Sequence, residues 1–443
     1  MAGSKASESV YALVDYEDPY VQPLILAALK ARIPSELLVL MQSISQIPAL
    51  DTRLLQWRQY EALDLEQAVE NDATSLINSY IIRKALIRKH YLSTTVSHWL
   101  TKHPGSSLSE HVKPSIEFEL DYAEFLDDAL VEAFELRDSF EQNEIKDDSQ
   151  KQWWILKPGM SDRGQGIRLF SSEEELASIF EEWDPESDDE EEAEHSGDEE
   201  DGILKGEDGE PSEDDESKGI ITSQLRHFVA QPYIHPPLLL PAPFPAADRK
   251  FHIRTYVLAV GALKIFVYKP MLALFAGKAY VPPWSSESGD PNEELSGHLT
   301  NTCLQSGERE GSVHAFWSLP SSLPGLADTW KDSVFDQICT MTGEVFEAAA
   351  RGMMVHFQPL PNAFEIFGLD FLVDAAGTAW LLEVNAFPDF AQTGEELNHL
   401  IQGLFEGTVE IAVKPFFGLA VQASEQLESE RMKKVLDIDL GRR

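Results

Sequence analysis

The chain has 443 residues, 43% of them apolar, which is enough for a packed interior and long for a single core, so two or three domains are expected. Its formal net charge of −41 argues against unassisted binding to nucleic acid or anionic membrane, both of which need clustered Lys and Arg. Two cysteines, Cys303 and Cys339, are too few for a disulfide framework or a multi-cysteine zinc site, and the start MAGSKASESVYALVDYED carries no apolar signal core, so an intracellular protein is expected.

YALVDY and EDPYVQPLILAALKAR read as a short buried strand and an amphipathic helix, the first step of an N-terminal α/β lobe over residues 1–75. LLQWRQYEALDLEQAVEND and TSLINSYIIRKALIRKHYLSTTVSHWLTKH read as helical. The second places Leu76, Ile77, Tyr80, Ile81 and Leu86 to one side, and Arg83, Lys84, Arg88, Lys89 and His90 form a concentration of positive charge unusual in so acidic a chain.

A central lobe is expected over residues 76–235. In it, WWILKPGMSDRGQGIRLF is an apolar strand ending at Lys157, a loop with Gly159, Gly164 and Gly166, and a return strand. Such a loop lets backbone amides approach phosphate oxygens while the lysine neutralises them; an ordinary hairpin turn explains the glycines equally well. It is not a Walker loop, because GxxxxGK[ST] is absent and the loop leads to a strand. Residues 181–218 hold 21 acidic residues and two lysines, about half of the net charge, and are expected to form a disordered insertion between two strands, either a solvated loop or a docking tail.

HFVAQPYIHPP is a strand running into prolines, so its last peptide groups are expected to lack ladder partners and to be open to a ligand. KFHIRTYVLAVGALKIFVYK is a strand pair hinged on Gly261; Lys264 and Lys269 interrupt the apolar run, which rules it out as a membrane span. Lys250, His252 and Arg254 alternate along it, as a cationic row suited to phosphate or as an exposed polar face. A C-terminal lobe over residues 236–443 continues with the amphipathic helix DSVFDQICTMTGEVFEAAARGMM and a second strand pair, NAFEIFGLDFLVD and TAWLLEVNAFP, joined across Ala375, Ala376 and Gly377. One or two helices follow in EELNHLIQGLFEGTVEIAVKPFFG, and LESERMKKVLDIDLGRR reads as a last helix of mixed charge, a solubilising tail or a partner helix.

Asp370, Glu383 and Asn385 interrupt this second strand pair. Glu383 and Asn385, two apart, share a face, and Asp370 falls near the matching position opposite, giving three hard oxygen ligands of the kind Mg²⁺ prefers. Surface or turn positions would be the bland alternative, but the flanks GLDFLV and LLEVN are too apolar for an exposed strand, and two buried carboxylates without a cation would repel each other. No convincing Ser/His/Asp or Cys/His arrangement competes with this reading.

Taken in order, LINSYIIRKALIRKHYL, WWILKPG…RGQGI, VAQPYIHPPLLL, RKFHIRTYVL, GHLTNTCLQ and FEIFGLDFLVD…WLLEVNAFP resemble the tubulin–tyrosine ligase-like branch of the ATP-grasp superfamily, and its fungal, processing-body-associated members most of all. The resemblance spans about Leu76 to Pro388. It implies a mixed α/β (α+β) ATP-grasp fold whose central and C-terminal antiparallel lobes enclose an ATP cleft, a carboxylate–amine ligase activity with ATP and Mg²⁺ as cofactors, and a cytoplasmic, processing-body location. It also implies protein partners in mRNA decapping and a peptide or protein acceptor if the chain is a ligase, while the charge and the interrupted apolar run leave the expectation of neither direct nucleic-acid contact nor membrane contact.

Residue by residue, the resemblance implies that Lys89 and Lys157 contact ATP phosphates, that the loop of Gly164, Gly166 and Ile167 covers them, and that Gln231, Tyr233 and Ile234 form the adenine hinge. Arg254 would act on the γ-phosphate or acyl phosphate, Asn301 would stand beside the phosphates and the acceptor, and Asp370, Glu383 and Asn385 would hold the metal. Two departures concern the acceptor side: His252 stands where the family has aspartate, and Gly277 and Lys278 stand where a glycine-to-arginine pattern is expected. They favour an alternative in which the fold is kept as an ATP-binding scaffold for protein partners.

Overall fold

The computed structural model describes residues 9–49, 51–159, 166–184, 225–285, 295–300, 312–394, 396–420 and 431–441. It divides into two compact units, one formed by Met1–Pro114 with Ile234–Arg443 and the other by Ser115–Tyr233. The second unit is thus one continuous stretch. The boundary expected at 75 falls inside a strand, Ser75–Ile77, and separates nothing.

In the first unit, β1 (Val10–Asp15), β2 (Leu38–Met41), β3 (Arg53–Arg58) and β4 (Ser75–Ile77) form a parallel sheet in the order β2-β1-β3-β4. The helix expected over LLQWRQ is therefore strand β3. A central parallel strand is covered on both faces and shows no alternation, so its near-continuous apolar run mimics a buried helix. Its one interior amide, Gln56, is fully buried and paired both ways with the Asp64 backbone, donating to its carbonyl and accepting from its N–H. The long helical stretch expected over residues 74–103 begins as strand β4 and becomes helical only at Lys84–Ile87 and Lys89–Lys102.

The second unit contains β5 (Ile116–Glu119), β6 (Trp154–Pro158), β7 (Arg168–Phe170) and β8 (His227–Pro232), an antiparallel sheet in the order β5-β8-β6-β7. Its core is aromatic: Phe180 meets Phe228 edge-on at 4.9 Å, and Trp183 stacks on Phe228 at 6.2 Å. The acidic segment starts later than expected, because Glu181 to Trp183 still belong to the helix Glu173–Trp183; residues 185–218 of that segment lie outside the described residues.

The remaining strands, β9 (Phe251–Val260), β10 (Lys264–Tyr268), β11 (Leu272–Phe275), β12 (Val313–Ala315), β13 (Phe364–Val373), β14 (Ala379–Ala386) and β15 (Met432–Asp437), form an antiparallel sheet in the first unit. β9 organises it: along one side it pairs with β13, and on the other with β11 at its start and β10 at its end. The helix Trp330–Gly352 packs on this sheet with Val334, Ile338, Met341, Val345 and Phe346 in the core. The last expected helix is instead strand β15, paired antiparallel with β10. Its exposed Lys433 and Lys434 mark an edge strand, where lysine discourages pairing with other chains, and in sequence they look like a polar helix face. Among the described residues no helix is long and apolar enough to cross a membrane.

Candidate functional site

Asp370 sits on β13, opposite Arg254 on β9 and opposite Glu383 on β14. Residues in register on neighbouring strands point to the same face, so the three side chains meet. Arg254 donates a forked pair of hydrogen bonds to Asp370, Nε to Oδ1 at 2.6 Å and Nη2 to Oδ2 at 3.0 Å. His252 Nε2 stands 3.5 Å from the same Oδ1, and its Nδ1 lies 2.6 Å from the Thr300 hydroxyl. Asn385 donates through Nδ2 to Asp370 Oδ2 at 3.3 Å and to Glu383 Oε1 at 3.1 Å. The Lys89 ammonium, at the first residue of the helix Lys89–Lys102, lies 3.9 Å from Glu383 Oε2.

Backbone packing makes this convergence possible. Gly368 lies opposite Asn385, and a Cβ there would come within 2.8 Å of the Pro388 ring and 3.3 Å of Arg254 Cδ. Any side chain at this position would force the Pro388 ring to shift and would crowd Arg254.

The charges are balanced within the chain. Burial alone would push the Asp370 carboxyl up, but Arg254 and His252 outweigh it and hold it well below the usual carboxylate range. Burial likewise opposes the charge on Arg254, and Asp370 more than restores it, so the guanidinium pKa rises. The expectation that two buried carboxylates demand a metal therefore needs correction: Arg254 compensates Asp370, and the Glu383 side chain is 26% exposed. The cationic row is equally not an exposed face, because Lys250, His252 and Arg254 are all buried. His298, beside Lys250, is pushed down to about 3 by burial and then by that lysine, so it is neutral at physiological pH.

The donor chemistry nevertheless fits a hard divalent cation. Two carboxylates and one amide converge, and half a turn of the Asn385 amide presents its oxygen instead of its nitrogen. A cation, the Lys89 ammonium, already stands beside Glu383. Among the described residues no group of three His, Cys, Asp or Glu side chains is placed to hold a metal ion, and this centre offers two carboxylates and an amide.

Of the other expected residues, Lys157, Gly166, Ile167, Gln231 and Tyr233 lie in the second unit. Lys157, buried at the end of β6, donates from Nζ to Gln231 Oε1 on β8 at 2.9 Å, a contact set by the pairing of these strands. Gly166 has a φ of 71°, and Ile167 precedes β7; Gly164 lies outside the described residues. The Tyr233 amide donates to the Trp153 carbonyl at 2.8 Å, so the expectation that the peptide groups after β8 lack ladder partners fails at this donor. Ile234 is buried and opens the second part of the first unit. Asn301 lies outside the described residues, although Thr300, which precedes it, is the partner of His252.

Two contacts escaped the sequence reading. The spacing of His252 and Arg254 shows their common face, but nothing local points to Thr300, which comes 48 residues after His252. Glu365, one more carboxylate in an apolar strand, carried the same signal as Asp370; it is buried against Arg83, with Oε1 2.9 Å from the guanidinium Nε.

The signature of the tubulin-tyrosine ligase family matches residues 67–419. A probable tubulin–tyrosine ligase of Schizosaccharomyces pombe is 46% identical over 418 residues, covering 94% of each chain. The probable tubulin–tyrosine ligase PBY1 of Saccharomyces cerevisiae is 40% identical over 98% of this chain, which spans 56% of that longer protein. The crystal structure of the C-terminal domain of K. lactis Pby1, described as an ATP-grasp enzyme interacting with the mRNA decapping enzyme Dcp2, superposes with a TM-score of 0.67 at 36% identity, covering 97% of this chain and 99% of that one. The chain belongs to the tubulin-tyrosine ligase family and has the ATP-grasp fold.

Proposed function

We propose that the chain is a Mg-ATP-dependent carboxylate–amine ligase acting on an acceptor of peptide or protein type. The observation that carries this reading is the meeting of Asp370, Glu383 and Asn385 on adjacent strands beside Arg254. Asp370, Glu383 and Asn385 would hold Mg²⁺, which when bound supplies charge neutralisation to the β- and γ-phosphates. Lys157 and Lys89 would contact the phosphates, Gly164, Gly166 and Ile167 would cover them, and Gln231, Tyr233 and Ile234 would receive the adenine. In the chemistry typical of this superfamily, a substrate carboxylate oxygen attacks the γ-phosphorus and ADP leaves; a neutral amine then attacks the acyl carbon and releases phosphate. Arg254, already oriented by its fork on Asp370, would stabilise the negative charge that moves in the first step, with Lys157 and Asn301.

A second reading is an ATP-binding scaffold for protein partners of mRNA decapping, with little or no turnover, acting in the cytoplasm and in processing bodies. It is favoured by the K. lactis relative described as interacting with Dcp2 and by His252 at a family aspartate position. Calorimetry of ATP with and without Mg²⁺, on the wild type and on Glu383→Gln, separates the readings when followed by ADP release with candidate acceptors. Mg²⁺-dependent binding lost in the variant, with ADP formed only when an acceptor is present, supports the ligase; binding without turnover supports the scaffold. No binding at millimolar ATP overturns both.

A further inference from the structure

Resting on the nucleotide reading above, we propose that Arg83 is a positioning residue: gripped by Glu365, its guanidinium holds the Phe387 ring and thereby fixes the turn after β14 that supports Asn385 and Arg254. Arg83 is only 9% exposed, and its Nε meets Glu365 Oε1 at 2.9 Å while Nη1 donates to the Tyr80 carbonyl at 3.1 Å. The other Glu365 oxygen accepts from the Tyr80 amide at 3.0 Å, so the carboxylate ties the guanidinium and the adjoining backbone into one unit. The Arg83 guanidinium carbon then lies 4.1 Å from the centre of the Tyr60 ring and 5.6 Å from that of Phe387. A cation within about 6 Å of a ring centre is attracted by the ring's electron-rich face, and the half-buried Phe387 ring lies within that reach.

The turn needs such a hold. Phe387 has a φ of 47°, a conformation that a bulky residue keeps only when its surroundings impose it. It follows Asn385 by two residues and precedes Pro388, whose ring occupies the space above Gly368 next to Arg254. A cavity of about 10 Å³ lies beside Phe387 and Glu365, so on that side the ring is closely packed. Loosening Phe387 would thus release Pro388 from Gly368 and free both Asn385 and Arg254.

Hydrogen exchange of residues 385–390, measured with Mg²⁺-dependent ATP affinity, tests this on wild type, Arg83→Met, Arg83→Lys and Phe387→Leu. Losing a cation–π contact to a half-buried ring corresponds to about a two- to fivefold change. Arg83→Met and Phe387→Leu should therefore each speed exchange in 385–390 several-fold, by more than in the rest of the unit, and weaken ATP binding to a similar degree; Arg83→Lys should fall between. Unchanged exchange in 385–390, or a uniform rise across the unit with affinity intact, overturns the proposal. Wild type that binds no ATP defeats the nucleotide reading separately, since the exchange of this turn still reports on Arg83.

Discussion

The Arg254–Asp370 pair offers the sharpest test of the site's construction. Replacing Asp370 by Asn keeps the shape but removes the charge and one acceptor, leaving the Arg254 guanidinium buried and half-satisfied; the side chains in the native pair are only 7% and 4% exposed. Breaking a buried, bidentate pair on one side costs about 3–5 kcal/mol, against about 0–1 for an exposed pair. At about 2 °C per kcal/mol for a domain of this size, the expected fall in Tm is about 6–10 °C. Replacing both partners at once, Arg254→Met with Asp370→Leu, should restore most of that stability, because no uncompensated charge remains. Thermal and urea unfolding of wild type, Asp370→Asn and the double variant give both differences. Because Asp370 is held below its ordinary range, its contribution is complete above a pH of about 4 and is lost as the pH falls further, so the difference between wild type and Asp370→Asn should shrink on acidification. A loss below about 1 kcal/mol at neutral pH, the value of a solvated pair, would refute the account of a dry, charge-balanced centre.

Glu365 should show the opposite pH behaviour, since burial outweighs Arg83 and raises its carboxyl to about 7. The native state then binds this proton more tightly than the unfolded chain, so stability is greatest below a pH of about 4.5, declines up to pH 7 and levels off above it. Relative to Glu365→Gln, urea unfolding should record a change of about 3 kcal/mol across that window, and a constant difference would contradict it. Gly343→Ala would place a Cβ 2.9 Å from the Val435 carbonyl oxygen of β15, so a loss of about 1–3 kcal/mol is expected in thermal unfolding; an unchanged Tm would show that β15 is not packed against the helix Trp330–Gly352. Burial pushes the Cys339 thiol up to about 11, and about a hundredfold less thiolate is then available to iodoacetamide than in the unfolded chain. Peptide mass spectrometry that finds Cys339 alkylated at the unfolded rate would refute its burial.

The antiparallel hairpins were legible because their alternation and turns are local. The β9–β10 pair about Gly261 and the β13–β14 pair across Ala375 to Gly377 form as expected, and with them the adjacency of Asp370, Glu383 and Asn385. Strand β3 was misread because double-sided burial erases the period that distinguishes strand from helix. Strand β15 was misread because ERMKKVL favours helix locally, and only its pairing with β10, about 170 residues earlier in the chain, makes it extended. Separation in sequence, here 116 residues, also hid the compensation of Asp370 by Arg254: which cation answers which carboxylate depends on a β9–β13 pairing that no local pattern encodes.

The route of the chain through its two units has a consequence for synthesis. Ser115–Tyr233 is continuous, so every strand of its sheet has left the ribosome long before the larger sheet is complete. The larger unit must keep its first segment waiting while these intervening residues are made. Its strand β10 also carries an unpaired edge until Met432–Asp437 arrives. During that interval the nascent protein exposes what edge strands normally conceal, a row of open backbone donors and acceptors able to recruit another chain. Loss or blockage of the 432–437 segment would therefore be felt first as poor yield and aggregation during expression, before any defect in the carboxylate centre could be measured.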